Sequence, residues 1–107
     1  EGMKEAQRQV AEFVYAHDLS AGVETRLLDL VSEIGELAKE GLKGSDYGSV
    51  AMLPGSEWSS EMGDVIYSIL ALANETGVDL ETALESALAK YRSRIVERDD
   101  PGSEPSS

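Results

Sequence analysis

Residues 57–75 read Glu57-Trp58-Ser59-Ser60-Glu61-Met62-Gly63-Asp64-Val65-Ile66-Tyr67-Ser68-Ile69-Leu70-Ala71-Leu72-Ala73-Asn74-Glu75. This stretch contains no proline, and Ser56 stands before it as an expected N-cap. Gly77, just beyond its end, supplies a stop. Val65, Ile66, Ile69, Leu70, Leu72 and Ala73 surround nearly the whole circumference of the helix so defined. A helix apolar on all sides belongs in an interior. Its first turns nevertheless carry Glu61 and Asp64, and buried carboxylates are expensive unless paired or bound to a metal.

The segments on either side are also helical. Residues 23–42 place Leu27, Leu30, Val31, Ile34, Leu37 and Ala38 at spacings of three and four. Residues 4–17 carry Val10, Phe13 and Val14, and Asp18, Ser20 and Gly22 interrupt them. Residues 80–98, capped by Asp79, carry Leu80, Ala83, Leu84, Ala87, Leu88, Tyr91 and Ile95. Gly41, Gly44, Gly48, Pro54 and Gly55 mark a loop between the second and third helices. No convincing strand and no internal repeat is present. The reading is all-α: a four-helix bundle over residues 3–98, completed by oligomerisation, with a disordered acidic tail over residues 99–107.

Composition narrows the function. At 107 residues the chain holds one domain. The absence of cysteine excludes disulfides, thiolate metal sites and cysteine nucleophiles. The net charge of −12 argues against binding a nucleic-acid backbone. The longest uncharged apolar run, residues 65–73, falls far short of the roughly 20 residues of a membrane span, so no membrane partner and a cytoplasmic location are expected.

The acids have a pattern. Glu33 and Glu36 are three apart on the second helix and border its apolar stripe, with Asp29 and Glu40 along the same edge. Glu61 and Asp64 repeat that spacing on the third helix. Antiparallel packing of the two would bring four carboxylates together. As free anions they would raise one another's pKa strongly, whereas a hard divalent cation resolves the conflict. Mg²⁺ prefers oxygen ligands and the company of substrate phosphates. With no histidine in either motif, Zn²⁺ and di-iron sites fit poorly. Acidic pairs at this spacing also occur on ordinary solvated helices, so periodicity alone leaves both readings open.

The wording of these motifs resembles a known family. Ser32-Glu33-Ile34-Gly35-Glu36-Leu37-Ala38-Lys39-Glu40, followed by Glu61-Met62-Gly63-Asp64-Val65-Ile66-Tyr67, is similar to the ExxE…ExxD signature of the all-α MazG-like nucleoside triphosphate pyrophosphohydrolases. Leu70-Ala71-Leu72-Ala73-Asn74-Glu75 and Val78-Asp79-Leu80-Glu81 continue the likeness, which covers about residues 27–94. Many members carry Glu-Glu where this chain has Ser32-Glu33. The acidity, with Arg26-Leu27-Leu28-Asp29-Leu30 and Asp46-Tyr47-Gly48, is similar to haloarchaeal members.

The resemblance implies hydrolysis of a nucleoside triphosphate, usually a deoxynucleotide, to the monophosphate and pyrophosphate, as nucleotide-pool house-cleaning. It implies Glu33, Glu36, Glu61 and Asp64 as ligands of Mg²⁺, with Mn²⁺ as a substitute. Glu33 or Glu36 would orient or deprotonate the attacking water. Lys90 and Arg94 match basic positions that meet phosphates, and Asn74 matches a nucleotide contact. Lys39 is within reach of phosphates, and Trp58 is a candidate to stack on a base, although each has an ordinary alternative as a solvated ion pair or a core residue. His17, at the end of the first helix, reads as a surface residue. Relatives assemble around a subunit interface, so a homodimer or homotetramer is expected. Two other functions suit the same residues: a non-catalytic acidic module that binds a cation or a partner, and a phosphoribosyl-ATP pyrophosphohydrolase.

Overall fold

The computed structural model describes residues 2–99. Four helices follow one another: α1 (Gly2–Ala16), α2 (Val23–Gly44), α3 (Trp58–Thr76) and α4 (Leu80–Asp99). Among the described residues there is no strand. Asp99, expected in the tail, is the last residue of α4, and the remainder of the expected disordered tail lies outside the described residues.

The termini form largely by the expected chemistry. Gly77 closes α3 in the left-handed conformation at φ 71°, and the Val78 amide donates back to the Ala73 carbonyl at 2.9 Å. Asp79 caps α4, its Oδ1 accepting from the Glu81 amide at 3.0 Å. Ser56 does not cap α3. Glu57 holds that position with αR backbone and no side-chain hydrogen bond, so the turn before the helix is already helical and a serine further out cannot reach the free amides.

The core is built by α1, α2 and α3. The extensive seam is between α2 and α3, with α1 packed on α3. Leu70, Ala71 and Ala73 are the buried hydrophobic residues, all on α3. The single apolar stripe expected on α2 divides in two. Arg26, Leu30, Glu33, Leu37, Glu40 and Gly41 form the buried or half-buried line, whereas Leu27, Val31 and Ile34 are exposed. Glu33 therefore belongs to the packed face of α2. Nor is α3 enclosed on all sides, since Met62 and Ile66 are each half exposed.

Within one chain the bundle stays open. Helix α4 packs on α1, and the join is made largely by Gln7. Its Nε2 donates to Asn74 Oδ1 at 3.1 Å and to the Val78 carbonyl at 2.9 Å, while its Oε1 accepts from the Leu80 amide at 2.9 Å. Further along α4, Leu84, Leu88, Tyr91, Ile95 and Val96 are exposed. No helix among the described residues is long and apolar enough to cross a membrane.

Candidate metal centre

The packed faces of α2 and α3 bring Glu33, Glu61 and Asp64 together. One carboxylate oxygen from each lies within 4.8 Å of the others. Glu33 and Glu61 are half-buried and Asp64 is exposed, so the group opens to solvent on one side. Glu61 Oε2 is buried and has no hydrogen-bond partner.

That orphan oxygen sits among like charges. The Glu61 carboxyl is raised above its ordinary value of 4.5, first by burial and then by Asp64, Glu36, Glu33 and Glu40. An acceptor-only group lacking a donor, surrounded by other acceptors, is poorly satisfied by protein alone. The donor set is entirely hard oxygen, open at one edge, as a Mg²⁺-type ion with retained waters and a phosphate ligand requires. The residues present therefore fit a divalent cation.

The remaining candidates are placed differently. Glu36 is exposed and stands outside the three-residue group, although its charge acts on Glu61. Lys39 is exposed on α2. Trp58 is half-buried and packs against Gly41, where an added Cβ would lie 3.5 Å from its ring. Asn74 lies ten residues beyond Asp64 on α3, about 15 Å along the axis, and its Nδ2 donates to the Gln7 carbonyl at 2.9 Å. Lys90 and Arg94 flank the Tyr91 ring on the exposed part of α4, at 5.4 and 5.7 Å from its centroid. Because α4 packs on α1, neither is joined to the acidic group of its own chain. His17 is exposed beside Phe13, with ring centroids 4.7 Å apart.

The loop behind the site is tightly bound. Ser45 to Val50 fold back on the end of α2, with Asp46, Tyr47 and Gly48 at positive φ. Gly44 meets the returning chain so closely that a Cβ would lie 2.5 Å from the Leu53 carbonyl oxygen. Two polar residues escape sequence reasoning. Gln7 gives no signal, because its partners are more than 65 residues away, as in its bond to Asn74 across 67 residues. Arg26 has one signal, its place four residues before Leu30 and seven before Glu33 on the packed line of α2.

Comparison with known proteins bears on the family and the fold. No match is found among curated proteins. Among solved structures, the chain is similar to the Bacillus-conserved MazG protein, a nucleotide pyrophosphohydrolase: 28% identity, TM-score 0.70, covering 83% of this chain and 87% of that one. It is also similar to the Bacillus subtilis protein YPJD, a candidate pyrophosphatase, at 28% identity and TM-score 0.68, covering 86% of this chain and 94% of that one. Residues 21–98 match the family model of the MazG nucleotide pyrophosphohydrolase domain. With its acid-bearing helices inside that match and an all-α fold shared with these structures, the chain belongs to the MazG nucleotide pyrophosphohydrolase family.

Proposed function

We propose that the protein hydrolyses a deoxynucleoside triphosphate to the monophosphate and pyrophosphate, and that it depends on Mg²⁺, with Mn²⁺ able to replace it. The observation that carries this reading is the convergence of Glu33, Glu61 and Asp64, with Glu61 Oε2 buried and unpartnered. Glu36 completes the ligand set by a modest side-chain movement or through a water. When bound, the ion neutralises phosphate oxygens and acidifies a coordinated water.

The chain's own residues then have definite tasks. Glu33 or Glu36 orients the water in line with the α-phosphorus and accepts its proton. A bond forms from the water oxygen to that phosphorus, and the bond to the bridging oxygen breaks, releasing pyrophosphate. Lys39, on the helix of Glu33 and Glu36, meets the departing phosphates.

A homodimer, or a tetramer built from two, supplies what one chain leaves open. Leu27, Val31 and Ile34 on α2 and Leu84, Leu88 and Ile95 on α4 are exposed apolar positions in need of cover. A two-fold pair is the simplest closed arrangement, and it would carry Lys90 and Arg94 toward the partner's phosphates. Asn74 is assigned to the base side of the site and Trp58, sixteen residues earlier on α3, to the opposite side, in a cytoplasmic enzyme.

A panel of deoxynucleotides with MgCl₂ tests the reaction. Nucleoside monophosphate and pyrophosphate should appear together, and EDTA should stop both. Orthophosphate as the first product would overturn the reaction type. Cleavage of phosphoribosyl-ATP alone would move the protein to a different substrate class.

A further inference from the structure

About two turns along α2 and α3 from the acids, where α1 meets them, lies a cleft of about 160 Å³, bordered by Val14, Ser20, Arg26, Ala71, Asn74 and Glu75. Arg26 is only 6% exposed. Its Nη2 donates to the Leu19 carbonyl at 2.7 Å, but its Nε is buried without a partner. A buried cationic donor left unused is unfavourable, and such groups ordinarily find an acceptor. Asn74 is held by Gln7 through both ends of its amide, at 3.1 and 2.9 Å, which leaves one N–H of its Nδ2 free for another acceptor. Val14 and Ala71 give the cleft an apolar wall, and Glu75 places a carboxylate at the border.

This combination suits a flat, mostly apolar body that bears an acceptor oxygen. It suits a free anion poorly, because Glu75 and a net charge of −12 repel one.

The cleft is in register with the acids. Arg26 and Glu33 are seven residues apart on α2, as are Ala71 and Asp64 on α3. Seven residues come within about 20° of two whole turns. Both pairs therefore share a face of their helix, with the cleft about 10 Å from the carboxylates. The cleft is thus within reach of the base of a triphosphate placed at the acids.

We propose that the cleft is the base subsite, and that Arg26 donates a hydrogen bond to an exocyclic carbonyl of the base. Uracil, thymine, cytosine and guanine carry such an oxygen, and adenine does not. This inference rests on the pyrophosphohydrolase reading. It adds the residue that discriminates among substrates.

The test compares kcat/KM for the deoxynucleoside triphosphates of uracil, thymine, cytosine, guanine and adenine, and for ribose 5′-triphosphate, which has no base. The wild type is compared with Arg26→Met and Ser20→Leu, the latter an exposed position that narrows the cleft without touching the core. The wild type should favour carbonyl-bearing bases over adenine by roughly tenfold or more. Arg26→Met should bring that ratio close to one. Ser20→Leu should lower the five nucleotides relative to ribose 5′-triphosphate. An active enzyme whose preference survives Arg26→Met overturns the subsite, as does a Ser20→Leu variant that loses equally on the base-free substrate. Pyrophosphate released from none of the six would overturn the pyrophosphohydrolase reading itself and the subsite with it.

Discussion

Glu61 concentrates the electrostatic conflict of the site, with one oxygen buried and unpartnered and four acids acting on it: Asp64, Glu36, Glu33 and Glu40. A carboxyl raised in the folded state binds its proton more tightly there than in the unfolded chain. Its contribution to the metal-free fold is therefore fully present below the ordinary value of 4.5 and is lost as pH rises through the raised value. Glu61→Gln removes the charge and keeps the shape. In EDTA the variant should melt higher than the wild type at pH 7, and the gap should shrink as pH falls toward 4.5. Melting curves across pH measure this, and a variant that melts lower throughout contradicts it. Turnover by Glu61→Gln or Asp64→Asn should be lost while helicity, followed by circular dichroism, persists. The four acids are legible in the sequence because their spacing repeats on two helices. That three converge while Glu36 stands apart is a matter of helix rotation, which a spacing of three cannot specify to within one side chain.

At the scale of elements, all four helices can be read from periodicity and punctuation, with ends displaced by one or two residues. What periodicity misses is the division of labour on α2. A wide apolar stripe looks the same whether it meets one neighbour or two, and here Leu30 and Leu37 line the seam to α3 while Leu27, Val31 and Ile34 remain outside. The connections are also decided by contacts distant in sequence. Gln7 links α1 to the end of α3 and the start of α4, beside an ion pair of Lys4 with Asp79 at 4.0 Å. Gln7→Leu leaves those polar groups without partners and should cost about 1–3 kcal/mol in urea denaturation. At Gly44, any Cβ would collide with the Leu53 carbonyl. Gly44→Ala should therefore cost about 1–3 kcal/mol as the loop shifts, whereas Gly63→Ala, where nothing lies within 4 Å, should not destabilise the fold. Equal stability of the two alanine variants would show that the loop does not press on α2.

The whole molecule combines open apolar faces with a net charge of −12. The first favours self-association and the second opposes it. Screening lengths fall from roughly 30 Å at 0.01 M salt to roughly 3 Å at 1 M, so association and activity should both strengthen as salt rises. Light scattering and assays over the same salt series check this together. A fully active monomer at every concentration would remove the need for a partner subunit.

The central claim is that Glu33, Glu61 and Asp64 hold a divalent ion. Titration with Mn²⁺ followed by electron paramagnetic resonance reads this without any turnover. The wild type should remove free Mn²⁺ saturably, Glu61→Gln and Asp64→Asn should weaken that binding at least about tenfold, and Mg²⁺ should displace the bound ion. Mn²⁺ binding of equal strength in all three proteins would contradict the account.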